Sequence, residues 1–321
     1  MCSRGSGPVP VELPGQLCPA APVFFLTRQR HPCFPMRRCH SCKKAPIMKK
    51  ILVPTDFSEV AANAYRFAQV LSERVGAHTE LLHAYHPSFD YANPYLDVPA
   101  VEFEQIKQEL LQQFAEAYTD AQGGVAVLPK TRLNIGFAAE EIVRLSEGYD
   151  LIVMGTTGQG NLLERAFGSV STHVARFAKC PVLLVPRQCK CQSIEQVVFA
   201  SSHPEADAAL LEPVLDIAGG DVKDVHFVHV EKQAHLPYHI GEAMHEKASY
   251  AGHPNLGIHA IEIECPDVQE GVIQYADEAG ADMIVTGTVQ RSFLDRLFHK
   301  SVTRQMAFHT EVPLLVMKLD A

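Results

Sequence analysis

The sequence predicts an α/β protein of two tandem domains, each a doubly wound parallel sheet with helices on both faces. Three observations carry that prediction. Short apolar runs alternate with longer stretches in which apolar residues recur at helical spacing. The alternation occurs twice: residues 197–202 match 51–56 (197 against 51, an offset of 146), and residues 282–287 match 150–155 (282 against 150, an offset of 132). Residues 312–316 repeat 180–184 at the second of these offsets. Finally, a glycine-rich turn follows the apolar run at 149–153, at the carboxyl end of a strand, where parallel sheets bind ligands.

The composition sets the class. A chain of 321 residues is long enough for two domains with separate cores. Hydrophobic residues make up 47% and charged residues 20%, a globular balance and not a disordered one. The net charge of -9 argues against a nucleic-acid partner, which needs a basic field. Apolar runs stay well short of the roughly 18 residues that span a bilayer, so no membrane segment is expected. Of nine cysteines, five lie in the first 47 residues, and the other four show no disulfide spacing. That usage suits a reducing, cytoplasmic setting.

Residues 1–47 are rich in proline and cysteine and lack periodicity, so they read as an unstructured or spurious extension, with Met48 the expected natural start. Cys39 and Cys42, with Cys33 upstream, make only half of a zinc site. Strand one is expected at 51–53, where Pro54 stops the pairing. Asp56 and Ser58 begin a turn into a helix over 61–77, with Ala64, Phe67, Ala68 and Leu71 on one face. Residues 79–85 form strand two, in which His83 reads as a satisfied core histidine. A loop at 87–99 precedes a helix at 101–121 with Phe103, Ile106, Leu110 and Phe114 on its stripe; Gly123 and Gly124 end it. Strand three falls at 126–135, and a helix at 138–147 is closed by Gly148. Strand four at 149–153, a helix in which Val170, Val174 and Phe177 recur, and a strand at 180–186 complete the copy. A polar linker follows over 187–193.

The turn after strand four carries the chemistry. Gly155, Gly158 and Gly168-Ser169 follow the pattern G-x2-G-x9-G-[ST] between a strand and a helix. Glycines let a ligand touch the backbone. Ser169 stands where a helix N-cap is expected, and the N–H groups and positive dipole end of that helix suit an anion. Two such turns fit a polyphosphate. The pattern is neither a P-loop nor the Rossmann fingerprint.

These residues resemble the ATP-binding signature of the universal stress protein family. Residues 51–58, with Pro54, Asp56 and Ser58, are similar to that family's first strand and turn, and residues 180–186 to its last strand. The resemblance covers residues 48–321 as two copies: 48–187 with the motif intact, a linker at 188–194, and 195–321 with the motif degenerate. It implies an adenine-nucleotide-binding fold with strand order 3-2-1-4-5, and ATP as the cofactor. Asp56 would hold the ribose or base, and Pro54, Thr55 and Ala84 would wall the base. Met154 and Gly155 would lie under the nucleoside. Gly158, Gly168, Ser169, Val170 and Ser171 would hold the phosphates, with magnesium (Mg) at Asp56 only if the phosphates reach it. The leading expectation is an ATP-binding stress or regulatory protein, not a dedicated enzyme. The alternatives are a slow ATPase or phosphotransferase, with Arg165 as a candidate phosphate clamp, and a binding module whose second copy senses another ligand or docks a partner.

The second copy departs from the pattern where it matters. Ser202 stands in place of Asp56, Ala200 of Pro54, Gln290 of Gly158 and Lys300 of Gly168; only Gly287 and Ser301 remain. A side chain at 290 would crowd a phosphate, so this copy is not expected to hold ATP in the same way. It carries ten of the sixteen histidines. His235 and His239 share helical spacing, with His245 and His253 beyond, but without an H-E-x-x-H arrangement they read as surface and loop residues. The two copies are expected to pack as an intramolecular pseudo-dimer through their last strands, leaving room for a homodimer of chains.

Overall fold

A computed structural model describes residues 50–86, 100–119, 128–156, 168–190, 193–201, 204–231, 255–287 and 311–318. The extension at 1–47, the loop at 87–99, the glycine pair at 123–124 and the four histidines from 235 to 253 lie outside the described residues.

The first half runs β1 (Lys50–Pro54), α1 (Glu59–Val75), β2 (His78–Tyr85), α2 (Ala100–Tyr118), β3 (Lys130–Ile135), α3 (Ala138–Leu145), β4 (Leu151–Gly155), α4 (Ser169–Phe177) and β5 (Val182–Val185). The second half runs β6 (Gln196–Ser201), α5 (Pro204–Ala218), β7 (Asp224–Glu231), β8 (Gly257–Glu264), α6 (Val268–Glu278), β9 (Met283–Gly287) and β10 (Leu314–Met317). All ten strands join one sheet in the order β3-β2-β1-β4-β5-β10-β9-β6-β7-β8. The first half therefore has the expected order 3-2-1-4-5, and the second repeats it in mirror sequence. Pairing is parallel within each half. At the seam, β5 and β10 run antiparallel, with Leu184 opposite Leu314 and Leu183 opposite Leu315. The expected contact through the last strands is thus a continuous ladder. Because the seam is antiparallel, the carboxyl ends of the two sets of strands open on opposite edges of the sheet.

Strands covered on both faces are apolar throughout. One face of the sheet, with Ile51, Val53, Leu151, Leu183, Val197, Phe199 and Leu315, packs under α1, α2 and α5. The other, with Leu52, Ile152, Leu184, Val198 and Val316, packs under α3, α4 and α6. Both clusters run across the seam. The halves also meet through Arg74 at the end of α1, whose guanidinium lies 3.2 Å from the Asp221 carboxylate. From beyond β10, Lys318 Nζ donates to Ala175 O (2.6 Å) and Arg176 O (3.4 Å) at the carboxyl end of α4. A cation there complements the helix dipole, although burial pushes its pKa down to about 8.

Local physics adjusts several boundaries. Helix α1 starts at Glu59 because Ser58 Oγ caps it, accepting from Ala61 N, and it stops at Gly76, which takes the left-handed φ of 68°. Strand β3 starts at Lys130, after Pro129, which has no N–H for the ladder. In α2 the inward stripe is Phe103, Lys107, Leu111, Phe114 and Tyr118, not the expected Ile106 and Leu110, which are 46% and 41% exposed. The stripe keeps a 4-4-3-4 spacing that tracks the sheet edge. In α4, Val174 is fully buried but Phe177 is exposed, and Ala175 and Ala178 fill the core contact. The linker start is tethered: Asn63 Nδ2 on α1 donates to Pro186 O and Cys189 O, both at 3.0 Å.

Candidate functional site

The carboxyl ends of β1 and β4 are neighbours. Pro54 ends β1, and Thr55 continues its ladder by one bond, Thr55 N to Leu82 O at 2.8 Å. The next four residues make a tight turn by local side-chain bonding. Thr55 Oγ1 accepts from Phe57 N (3.0 Å), and Asp56 Oδ1 accepts from Ser58 N (3.1 Å). Phe57 sits at φ 65°, a conformation that costs a non-glycine residue on the order of 1 kcal/mol. The surroundings hold it there: its ring lies 4.3 Å from the His83 ring and 5.8 Å, edge-on, from Phe114. The turn leaves Asp56 half-buried at the sheet edge. Ala84, two strands over from β4, is also half-buried there.

Beneath this turn, His83 Nδ1 lies 2.8 Å from Thr55 O. A carbonyl only accepts, so Nδ1 carries the proton and Nε2 is an acceptor. Nε2 is buried and has no hydrogen-bond partner among the described residues. The expected satisfied core histidine is therefore satisfied at one nitrogen only. Burial pushes its pKa below the ordinary value; the Thr55 bond and Asp56 oppose that, and Lys107 adds to it.

On the β4 side, Met154 is buried and Gly155 closes the strand. A Cβ on Gly155 would meet Val60 Cγ1 at 2.7 Å and the Val60 carbonyl carbon and oxygen at 3.2 Å. The glycine is thus required by the close crossing of β4 and the first turn of α1, a packing reason that the motif alone does not reveal. Thr156 N then bonds Val185 O (3.2 Å). Gly168 N donates to Thr156 O at 2.6 Å, which makes a narrow neck of these two residues. The buried Ser171 hydroxyl lies within donating distance of Thr156 O (2.7 Å) and Gly168 O (3.0 Å). Gly158 lies outside the described residues.

Helix α4 begins at this neck. Its N-cap is Gly168, with φ -72° and ψ 162°, and no side chain caps it. Ser169, expected as the cap, is instead the first helical residue and is exposed; Val170 is half-buried. The first helical bond runs from Thr172 N to Gly168 O (3.0 Å). The N–H groups of Ser169, Val170 and Ser171 therefore precede the helical ladder, the position from which a helix offers donors to an anion. The site so assembled offers a carboxylate turn, a glycine strand end and a helix N-terminus along one edge. Among the described residues, no group of three or more His, Cys, Asp or Glu side chains is arranged to hold a metal ion.

The second half repeats the frame and changes the lining. Gly287 ends β9 as Gly155 ends β4. Ser201 replaces Thr55, and its hydroxyl donates to Asp207 Oδ2 (2.7 Å), a buried carboxylate on α5 where α1 has Ala61. His229 Nδ1 meets Ser201 O at 3.0 Å, repeating the His83 bond. Ser202, Gln290, Lys300 and Ser301 lie outside the described residues. The sequence carries a signal for the His83–Thr55 bond in this repetition of a histidine at the offset of 146 (229 against 83).

Comparison with known proteins agrees with this frame. The universal stress protein family model matches residues 48–186 and again 194–318. The chain belongs to the universal stress protein family. Universal stress protein MJ0531 of Methanocaldococcus jannaschii is 33% identical over 152 residues, 45% of this chain and 85% of the relative. Universal stress protein Slr1230 of a Synechocystis strain is 23% identical over 303 residues, 84% of this chain and 100% of the relative. Among solved structures, a universal stress protein from Archaeoglobus fulgidus aligns with a TM-score of 0.55 at 20% identity, covering 84% of this chain and 96% of that one, a likeness of fold.

Proposed function

We propose that this chain is an ATP-binding regulatory protein of the stress response, and that only its first half, residues 48–187, holds the nucleotide. Asp56 takes the ribose or base, and Pro54, Thr55 and Ala84 wall the base. Met154 and Gly155 lie under the nucleoside. Gly158, Gly168, Ser169, Val170 and Ser171 hold the phosphates. The observation that carries this reading is the neck at Thr156–Gly168, which opens onto the N-terminus of α4 beside the Asp56 turn. An anion site and a hydrogen-bonding carboxylate on adjacent strand ends suit the two ends of a nucleotide. In 195–321 the carboxylate turn is replaced in sequence and a buried acid, Asp207, enters from α5, which disfavours an anion and leaves that half for another ligand or a partner.

Among the described residues, Cys180 and Cys265 are free thiols, and burial pushes the Cys180 thiol up to about 12. These features support a reducing, cytoplasmic setting and give Cys180 no nucleophilic role. Among the described residues, no helix is long and apolar enough to cross a membrane.

The test is equilibrium binding of radiolabelled ATP to the full chain, with and without magnesium, beside an Asp56→Ala, Gly158→Ala variant. One ATP per chain, weakened at least about tenfold in the variant, is the expected result. Two per chain would refute the silent second half. Conversion of bound ATP to ADP would move the reading to a slow ATPase.

A further inference from the structure

We propose that His83 is a positioning residue for this crevice: as the Nδ1–H tautomer it pins the Thr55 carbonyl and, through Phe57, sets the turn that presents Asp56. The inference rests on the nucleotide reading above and adds a residue that touches no ligand in it.

The geometry is a short chain of contacts. Thr55 is held from both sides, by its own N–H to Leu82 O and by its carbonyl to His83 Nδ1, each at 2.8 Å. Its hydroxyl oxygen then receives Phe57 N, which fixes the peptide plane on either side of Asp56. Phe57 holds a left-handed φ only because its ring has a floor, and the His83 imidazole is that floor, tilted 39° at 4.3 Å. The Tyr85 ring lies nearly parallel to the imidazole, at 13°, with the ring centres 6.3 Å apart. A leucine in place of His83 would keep the bulk and lose the bond, leaving a buried carbonyl short of one partner.

Two further observations separate positioning from mere core filling. His83 Nε2 is buried without a partner among the described residues, so the ring is retained at this place although half of its polarity is unsatisfied there. The same bond recurs in the second half, His229 Nδ1 to Ser201 O at 3.0 Å, on the paired residues of β6 and β7. There the residues that follow in sequence are Ser202 and His203 instead of Asp56 and Phe57. The bond is thus common to both halves, while the carboxylate belongs to the first.

The experiment compares full-chain His83→Leu, His83→Asn and His229→Leu with the unaltered protein. The readouts are ATP binding, melting temperature and amide exchange at Phe57 and Ser58 without ligand. Asparagine can offer an N–H near the Nδ1 position, so it serves as the conservative rescue. His83→Leu is expected to weaken ATP binding about tenfold and to speed Phe57 and Ser58 exchange, with most of both recovered in His83→Asn. His229→Leu should leave binding unchanged. Wild-type exchange at Phe57 and Ser58 in a folded His83→Leu protein would overturn the inference whether or not ATP binds. So would equal loss of binding in His83→Leu and His229→Leu. A wild-type chain that binds no ATP, with exchange accelerated in His83→Leu, would refute the nucleotide reading alone.

Discussion

At the scale of single residues, the crevice is shaped by contacts that leave little room for substitution. Gly155 is the sharpest case. Its missing Cβ accommodates Val60, so Gly155→Ala should cost about 1–3 kcal/mol from overpacking, measured by urea unfolding. Adding Val60→Ala removes the 2.7 Å contact but not the backbone contacts at 3.2 Å, so the double variant should regain part of the loss. Ser171→Ala should cost about 0.5–1.5 kcal/mol, the loss of one hydrogen bond to neck carbonyls that keep their backbone donors, read as a lower melting temperature. Histidines give the pH dependence. Burial holds His83 and His226 below the ordinary value of 6.5. The folded chain therefore binds fewer protons at these sites than the unfolded chain. The stability they contribute is complete above that value and is lost as pH falls through it and then through the folded-state values. Urea midpoints should decline between about pH 7.5 and about 5.5, and a flat profile would contradict the assignment.

At the scale of elements, the central strands are legible because buried parallel strands are short apolar runs, and the run at Leu151–Gly155 is too short for a helix and ends in a glycine turn. The glycine pattern likewise marked the turn between β4 and α4. The inward face of α2 differs from the expected stripe. Its helical periodicity admits two stripes, and the one used includes a charged residue: Lys107 lies inward with its Nζ 5.5 Å from the centre of the Phe103 ring and 5.9 Å from that of Phe57. An apolar count passes over a lysine whose stem packs while its charge meets aromatic faces. The α4 cap was missed by one residue because serine ranks as a cap by type, whereas here the glycine before it takes the extended cap conformation. The Asp56 turn was legible as a position, but the histidine that supports it comes from another strand, and pairing register is invisible to local pattern.

At the scale of the whole molecule, the two halves share both cores, so they should unfold together. Leu315 is fully buried and faces Leu183 across the seam. Leu315→Ala should remove about 2–5 kcal/mol. Amide protection in β1 and in β7 should fall by the same amount, as native-state exchange would show; loss confined to β7 would mean that the halves fold separately. The antiparallel seam has one more consequence. A pair of separate subunits dissociates on dilution and can trade members with related chains. Here each ribosome delivers both members on one polypeptide, already matched, so their one-to-one ratio is immune to expression level and to competition. Duplication followed by such a covalent marriage leaves one member at liberty to change its lining without the other ever meeting an unaltered copy in its place.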